Sequence, residues 1–251
     1  MSKKPGALHG GLFVDSYSDV TVSNSAFSGN YASNYGGALY AYSSDLEVSD
    51  STFVDNYGYY GAVYLQAMYG DDYFFRNSFC HNESEYGGSL YLNDVSSAYF
   101  GNNILQDNQA NVLGGAMYAY NSDPSFLNNT FVENISSDDG GGHLYLDGSV
   151  TISSTNDIFA WAGDGDGIWT NGGTSYNIYY SDFWENNATH FDGQFTGVPA
   201  TNYEVDPLFV DYTADGNCGN DDLHLSDSST LIDAGHPSLL DEDGSTSDVG
   251  A

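Results

Sequence analysis

The chain has 251 residues, with 35 Asp and Glu against 3 Lys and Arg and a formal net charge of -32. That balance excludes nucleic acid and anionic membranes as partners, because both are held through Lys and Arg, and it makes cations the natural partners. No run approaches the roughly 20 apolar residues that span a bilayer, so membrane insertion is not expected, while 22 Tyr and 14 Phe supply the apolar area that disordered acidic chains lack.

Along the chain, Lys3 and Lys4 sit in an opening, residues 1–11, that has no apolar run of the signal-peptide kind. Phe27 then starts a register that returns at Phe53, Phe79, Leu105 and Phe131, each 26 residues after the last, and at Phe159 and Phe183. Three residues beyond lie Asn30, Asn56, Asn82, Asn108, Asn134 and Asn186; only the Phe159 unit departs, with Ala162. A second register, of glycines before an apolar run, gives Gly11, Gly37, Gly61, Gly88, Gly115, Gly142 and Gly167.

A fixed period of this length marks a solenoid. Within each period the residues alternate, as Leu39 and Ala41 do with Tyr40 and Tyr42, and nothing holds a helical pattern. The fold expected is all-β: a right-handed, single-stranded parallel β-helix of about 26 residues per coil, rising about 4.8 Å per coil. The phenylalanines should fill the interior, the asparagines should stack as an amide ladder, and Gly-Gly should permit the corner before the next strand. Coils account for residues 1–190. Residues 191–251 are expected to form a loop around Gly193, Gly197 and Pro199, then final irregular coils or a C-terminal cap of the same solenoid. Cys80 and Cys218 show no CxxC spacing and either pair or stay free.

The units Gly36-Gly37-Ala38-Leu39 and Gly114-Gly115-Ala116-Met117, with their Phe-x-x-Asn partners, resemble the repeats of bacterial polymorphic outer-membrane proteins. Tyr60-Gly61-Ala62-Val63 lacks one glycine and His143 replaces the alanine. Asp206-Pro207-Leu208-Phe209-Val210-Asp211, Asp222-Leu223-His224-Leu225, Leu231-Ile232-Asp233-Ala234-Gly235 and the closing Asp248-Val249-Gly250-Ala251 are similar to the end of secreted choice-of-anchor β-helix proteins. The resemblance implies an exported, extracellular or cell-surface bacterial protein and no particular reaction.

Three sets of residues are candidates for function. Tyr40, Tyr64, Tyr91, Tyr118 and Tyr145 recur once per coil opposite Leu39, Val63, Leu90, Met117 and Leu144, so they should form an outward stripe. Such a stripe either stacks on sugar rings or merely stabilises the sheet. Asp164 with Asp166, Asp215 with Asn217, Asp221 and Asp222, and Asp241 with Asp243 and Asp248 offer oxygens to Ca²⁺, the expected cofactor. His143 is placed on the tyrosine side and read as structural. A glycosidase needs two carboxylates about 5–9.5 Å apart, which a chain so rich in Asp meets by chance. The Gly-His-Gly and Arg-x-Lys elements of polygalacturonase-like sites are missing, and Arg76 is a poor candidate for a lyase base. The expectation is therefore a non-catalytic module for adhesion or for binding a glycan or surface polymer. The alternatives are a glycoside hydrolase using an Asp pair in a groove, and a fibre unit assembling end to end.

Overall fold

The structure is a computed structural model that describes residues 8, 10–137, 140–187, 190–192 and 200–251. Lys3, Lys4 and the expected loop at Gly193, Gly197 and Pro199 lie outside the described residues. Short strands and sharp corners wind the chain into a parallel β-helix with four faces. The first sheet has eight strands, from Leu12–Val14 to Phe191–Asp192. The second has seven, from Asp19–Ser23 to Thr174–Tyr179, and the third seven, from Ala26–Ser28 to Asp182–Trp184. A shorter fourth sheet has four, from Tyr57–Tyr60 to Ile135–Ser136. Equivalent strands of successive coils pair in parallel and in register, as Phe27 with Phe53 and Phe53 with Phe79.

Most corners turn on one residue in the left-handed region. The corner after the third sheet uses Asp55, His81, Asp107 and Glu133, with φ from 53° to 55°. The Gly-Gly corners divide two tasks. Gly87, Gly114 and Gly141 take φ of 64°, 71° and 58°, where a side chain is strained. Gly88 and Gly115 are needed for close approach, since a Cβ there would lie 2.1 Å from a backbone oxygen of the next coil.

Two columns of phenylalanine fill the interior, the first interrupted once by Leu105 between Phe79 and Phe131. Phe27, Phe53 and Phe79 stack at 4.9 and 4.7 Å, Phe131, Phe159 and Phe183 at 4.7 and 5.0 Å, and Phe74, Phe100 and Phe126 at 5.1 and 5.3 Å beside them. At the buried corners the amide ladder runs Asn30, Asn56, Asn82, Asn108, Asn134, each Nδ2 donating to the next Oδ1 at 2.9 or 3.0 Å. Each Oδ1 also takes the preceding asparagine's backbone N–H, as Asn134 does from Asn108. A second ladder, absent from the sequence reading, joins Asn77, Asn103, Asn129 and Asp157 at the other end of the third sheet.

Where Ala162 breaks the first ladder, His143 closes the gap: Nδ1 lies 3.2 Å from Asn134 Nδ2 and Nε2 lies 3.1 Å from Asn186 Oδ1. His143 is therefore inside the coil rather than on the tyrosine side. The Gly corner interrupts strand alternation there: the N–H groups of both Ala116 and Met117 bond the single carbonyl of His143. Burial holds the imidazole down to about pKa 3, so it is neutral and bridges the asparagines with one donor and one acceptor nitrogen.

The C-terminal segment departs from the expected coils. Tyr203 adds one more parallel rung beside Asp182, after which the chain turns back over the outer face of the third sheet. Phe209–Asp211 and Asp222–Leu225 pair with each other in antiparallel fashion, which no further coil would allow. Tyr212 stacks on Trp161 at 4.6 Å, and Cys218 forms a disulfide with Cys80 across 138 residues. Leu231 and Val249 then pack on Ile158 and Ala160, and the Ala251 N–H donates to Thr130 Oγ1 at 2.9 Å. The outer face of the third sheet carries apolar Ile158 and Ala160, and this strap removes them from water.

Among the described residues, three of the buried carboxylates have a raised pKa. Burial pushes Asp72, Asp157 and Asp182 up to about 7, against the effect of the backbone and side-chain donors on each. Asp72 and Asp182 each keep one oxygen with no hydrogen-bond partner among the described residues, which favours the protonated acid.

The ladder predicts that Asn108→Ala, which strands Asn82 and removes the bond to Asn134, lowers unfolding stability by about 2–4 kcal/mol, whereas Asn30→Ala at the end of the stack costs about 1 kcal/mol; urea titration reads both. The buried acids carry a pH signature. Their folded pKa values exceed the unfolded value of about 3.9, so the folded state holds protons that the unfolded chain releases. Stability should fall as pH rises from about 4 to about 7 and level off above. Relief of surface repulsion acts in the same direction, so Asp157→Asn is the discriminating variant: its melting temperature should change less over that range than the parent's.

Candidate functional site

Strand alternation sets Phe13, Tyr40, Tyr64, Tyr91, Tyr118, Tyr145 and Trp169 in one outward column of the first sheet. From Phe13 to Tyr145 successive ring centroids lie 4.9 to 5.2 Å apart. The column does not lie open to solvent. Tyr40, Tyr64, Tyr118 and Tyr145 are only 3% to 7% exposed, and Tyr91 is half-buried. The cover comes from the residues just before each Gly corner. Tyr35 stacks on Tyr40 at 4.5 Å, Tyr60 lies 4.7 Å from Tyr91, and Tyr86 sits edge-on to Tyr118 at 5.8 Å. Leu113 takes the same place one coil on, next to Gly140. The expected exposed stripe is thus the lower of two aromatic layers, because the residues just before each Gly corner lay their side chains over it.

Three hydroxyls of this column are engaged at the next polar row. Tyr40 Oη donates to Gln66 Oε1 and Tyr118 Oη to Asp147 Oδ2, both at 2.7 Å, while Asn93 Nδ2 donates to Tyr64 Oη at 3.2 Å. Burial is the main cause that raises these phenols, Tyr64 to about 12, so they remain protonated at neutral pH.

Solvent-facing aromatics occur elsewhere. On the second sheet Tyr73 stacks on Tyr99 at 5.2 Å with 13° between the rings, and Phe75 lies 5.9 Å from Tyr73. Tyr99 is 39% exposed. Phe75 spreads over Gly101, where a Cβ would meet its ring at 2.6 Å, so the glycine keeps this patch flat. The alternation of Asp72–Phe75 and Ala98–Gly101 carried the signal for this row.

The acidic candidates separate. Asp241 and Asp248 come together, joined by Asp233, with ligand oxygens of the three within 4.8 Å of one another. Asp243 is not part of the triplet; its Oδ1 accepts from the N–H and Oγ of Ser245 at 2.9 and 2.6 Å. Asp164 and Asp166 do not join a third ligand group among the described residues. Asp166 is buried in its turn and its carbonyl accepts from the Gly142 N–H. Asp215 and Asp221 hold the strap's own loop, accepting from the N–H groups of Asn217 and Thr213 at 3.0 and 2.9 Å. Asp233 was invisible as a ligand because it lies 8 residues from Asp241 in sequence, with no Asp-x-Asp spacing.

A groove of about 700 Å³ lies between the strap and the third sheet, lined by Asp50, Arg76, Asn102, Asp221, Asp222 and His224 among others. Two of its carboxylates, Asp50 and Asp222, are held as anions. Arg76 grips Asp50 through two bonds of 2.7 and 2.9 Å and lowers its pKa; His224, 2.6 Å from Asp222, does the same there. The raised acid, Asp107, pushed to about 6 by burial and then by Glu133, sits under the strap, where Tyr212 hydrogen-bonds Glu133. Acid–base hydrolysis needs one raised and one ionised carboxylate facing the same bond, whereas here the raised one packs beside Cys218 and His81.

Comparison with curated proteins and with solved structures returns no match. The family model described as "Right handed beta helix region" matches residues 6–158, more than half of the chain, and covers the Phe, Asn and Gly registers from Gly11 to Gly142. The chain belongs to the right-handed β-helix family.

Proposed function

We propose that the chain is a non-catalytic module of an exported or cell-surface bacterial protein that binds glycan or a related surface polymer through solvent-facing tyrosines. The observation that carries this reading is the flat aromatic patch of Tyr73, Phe75 and Tyr99 on the second sheet. Flat aromatic faces suit the apolar faces of sugar rings, and the Tyr73 phenol is held in place by a hydrogen bond to Asp71. The disulfide between Cys80 and Cys218 supports an oxidising, extracellular setting. The buried column of Tyr40, Tyr64, Tyr91, Tyr118 and Tyr145 acts here as the rigid layer beneath the outer aromatics.

Ca²⁺ is proposed at Asp233, Asp241 and Asp248. Three carboxylates supply part of the 6 to 8 oxygens that Ca²⁺ takes, with water completing the shell, and a divalent ion relieves the repulsion that helps to raise Asp241, where burial is the larger cause.

A glycan array tests the first proposal: Tyr73→Ala combined with Tyr99→Ala should cost roughly tenfold or more in affinity, at about 1–1.5 kcal/mol per lost aromatic contact, with unchanged far-UV circular dichroism. Retained binding would sink it. For the metal, millimolar CaCl₂ should raise the melting temperature above the value in equal MgCl₂, EDTA should reverse the rise, Asp241→Asn should abolish it and Asp243→Asn should leave it intact.

A further inference from the structure

The corner between the first and second sheets varies in length from coil to coil, and this variation builds a notch. In the first coil four residues, 15–18, separate the strands Leu12–Val14 and Asp19–Ser23. In the second coil only Ser43 and Ser44 separate Leu39–Tyr42 from Asp45–Ser49, and in the third five residues, 67–71, separate Val63–Gln66 from Asp72–Phe75. A short turn is therefore recessed between two longer ones. The result is a cavity of about 370 Å³ lined by Tyr17, Ser18, Asp19, Ser43, Ser44, Asp45, Tyr69 and Gly70.

The flanking turns carry two tyrosines that stand open to solvent. Tyr17 is 97% exposed and Tyr69 is 77% exposed, and Tyr17 sits at a left-handed corner with φ 63°, where a smaller residue would be less strained. Their turns are two coils apart, about 9.6 Å along the axis at about 4.8 Å per coil, and both tyrosines line the notch. The floor is polar and already tied down: Ser44 Oγ donates to the Asp15 and Tyr42 carbonyls at 2.8 and 2.9 Å. Asp45 lies against Gly70, where a Cβ would fall 1.9 Å from its Oδ1, so Gly70 makes room for that carboxylate at the edge of the notch. Asp19 lines it as well, and among the described residues no basic side chain does.

We infer that this notch binds an amino sugar carrying a free ammonium group, its ring between Tyr17 and Tyr69 and its nitrogen toward Asp19 and Asp45. Two electron-rich rings and two carboxylates with no Lys or Arg favour a cation through cation–π and charge attraction. Two aromatic walls favour an organic cation, which offers them apolar surface as well as charge, over a bare metal ion. This inference rests on the reading of the chain as a glycan-binding module and specifies the class of glycan.

The test uses a tetramer of glucosamine, its fully N-acetylated counterpart and a glucose tetramer, titrated calorimetrically into the whole chain at about 150 mM salt, where the screening length is about 8 Å. The glucosamine tetramer should bind at least tenfold more tightly than the other two. Tyr17→Ala and Tyr69→Ala, which leave the net charge unchanged, should each weaken it about three- to thirty-fold, and Asp45→Asn should also weaken it. Equal affinity in the parent and both tyrosine variants would show general attraction to a polyanion and overturn the inference, as would absence of glucosamine binding. Binding of a neutral tetramer that survives both tyrosine variants but is lost with Tyr73 and Tyr99 would overturn the notch while leaving the glycan-binding reading in place.

Discussion

Each coil of this protein is bonded to its neighbours by backbone ladders on the sheet faces and, at two corners, by asparagine side chains that accept from one coil and donate to the next. Asn108 shows the arrangement: its Oδ1 takes the N–H and Nδ2 of Asn82, and its own Nδ2 reaches Asn134 and the Phe79 carbonyl. At the corners most N–H groups still bond the next coil, as His81 does to the Gln106 carbonyl, but the asparagine's own N–H meets a side-chain oxygen instead, and the amide is a neutral group that both donates and accepts in one plane. This requirement sets the period of the chain, because every coil must return an asparagine to the same axial line. His143 demonstrates its force from the opposite direction: when Ala162 leaves the line open, an imidazole from the neighbouring corner occupies it.

Stacking also repeats every surface charge in columns, which matters for a chain at -32. Like charges 4–5 Å apart repel by about 1 kcal/mol even in water. The corner after the third sheet reads Asp55, His81, Asp107, Glu133, Trp161, Glu185, so a histidine and a tryptophan interrupt the acids. Where two acids do adjoin, Asp107 holds its proton more strongly, and Arg76 is set directly beside Asp50. The acidic surface is thus partitioned by register.

The same periodicity explains which parts of the site were legible. The Phe-x-x-Asn register foretold the interior stack and the first amide ladder, because identical residues at one axial position can only pair with themselves. The second ladder was equally present as Asn77-Ser78-Phe79, Asn103-Ile104-Leu105 and Asn129-Thr130-Phe131, but Ser25 and Ser51 stand at its start and hid the pattern. Tyr35, Tyr60 and Tyr86 precede their glycines just as regularly. That they cover the Tyr40 column depends on how the residues before each Gly corner lie over it, which alternation along one strand does not encode.

The amino-acid sequence by itself determined the coil, its period, the identity of the interior residues and the amide spine, since these follow from contacts between copies of one short pattern stacked at a fixed spacing. Only the tertiary structure decided that residues 200–251 return along the third sheet, that Cys218 meets Cys80, that Asp233 joins Asp241 and Asp248, and that unequal turns leave a notch between Tyr17 and Tyr69. Those contacts link segments that do not repeat, so no local pattern specifies their partners; burial of Ile158 and Ala160 beneath Leu231 and Val249, and the lengths of the intervening turns, set them instead.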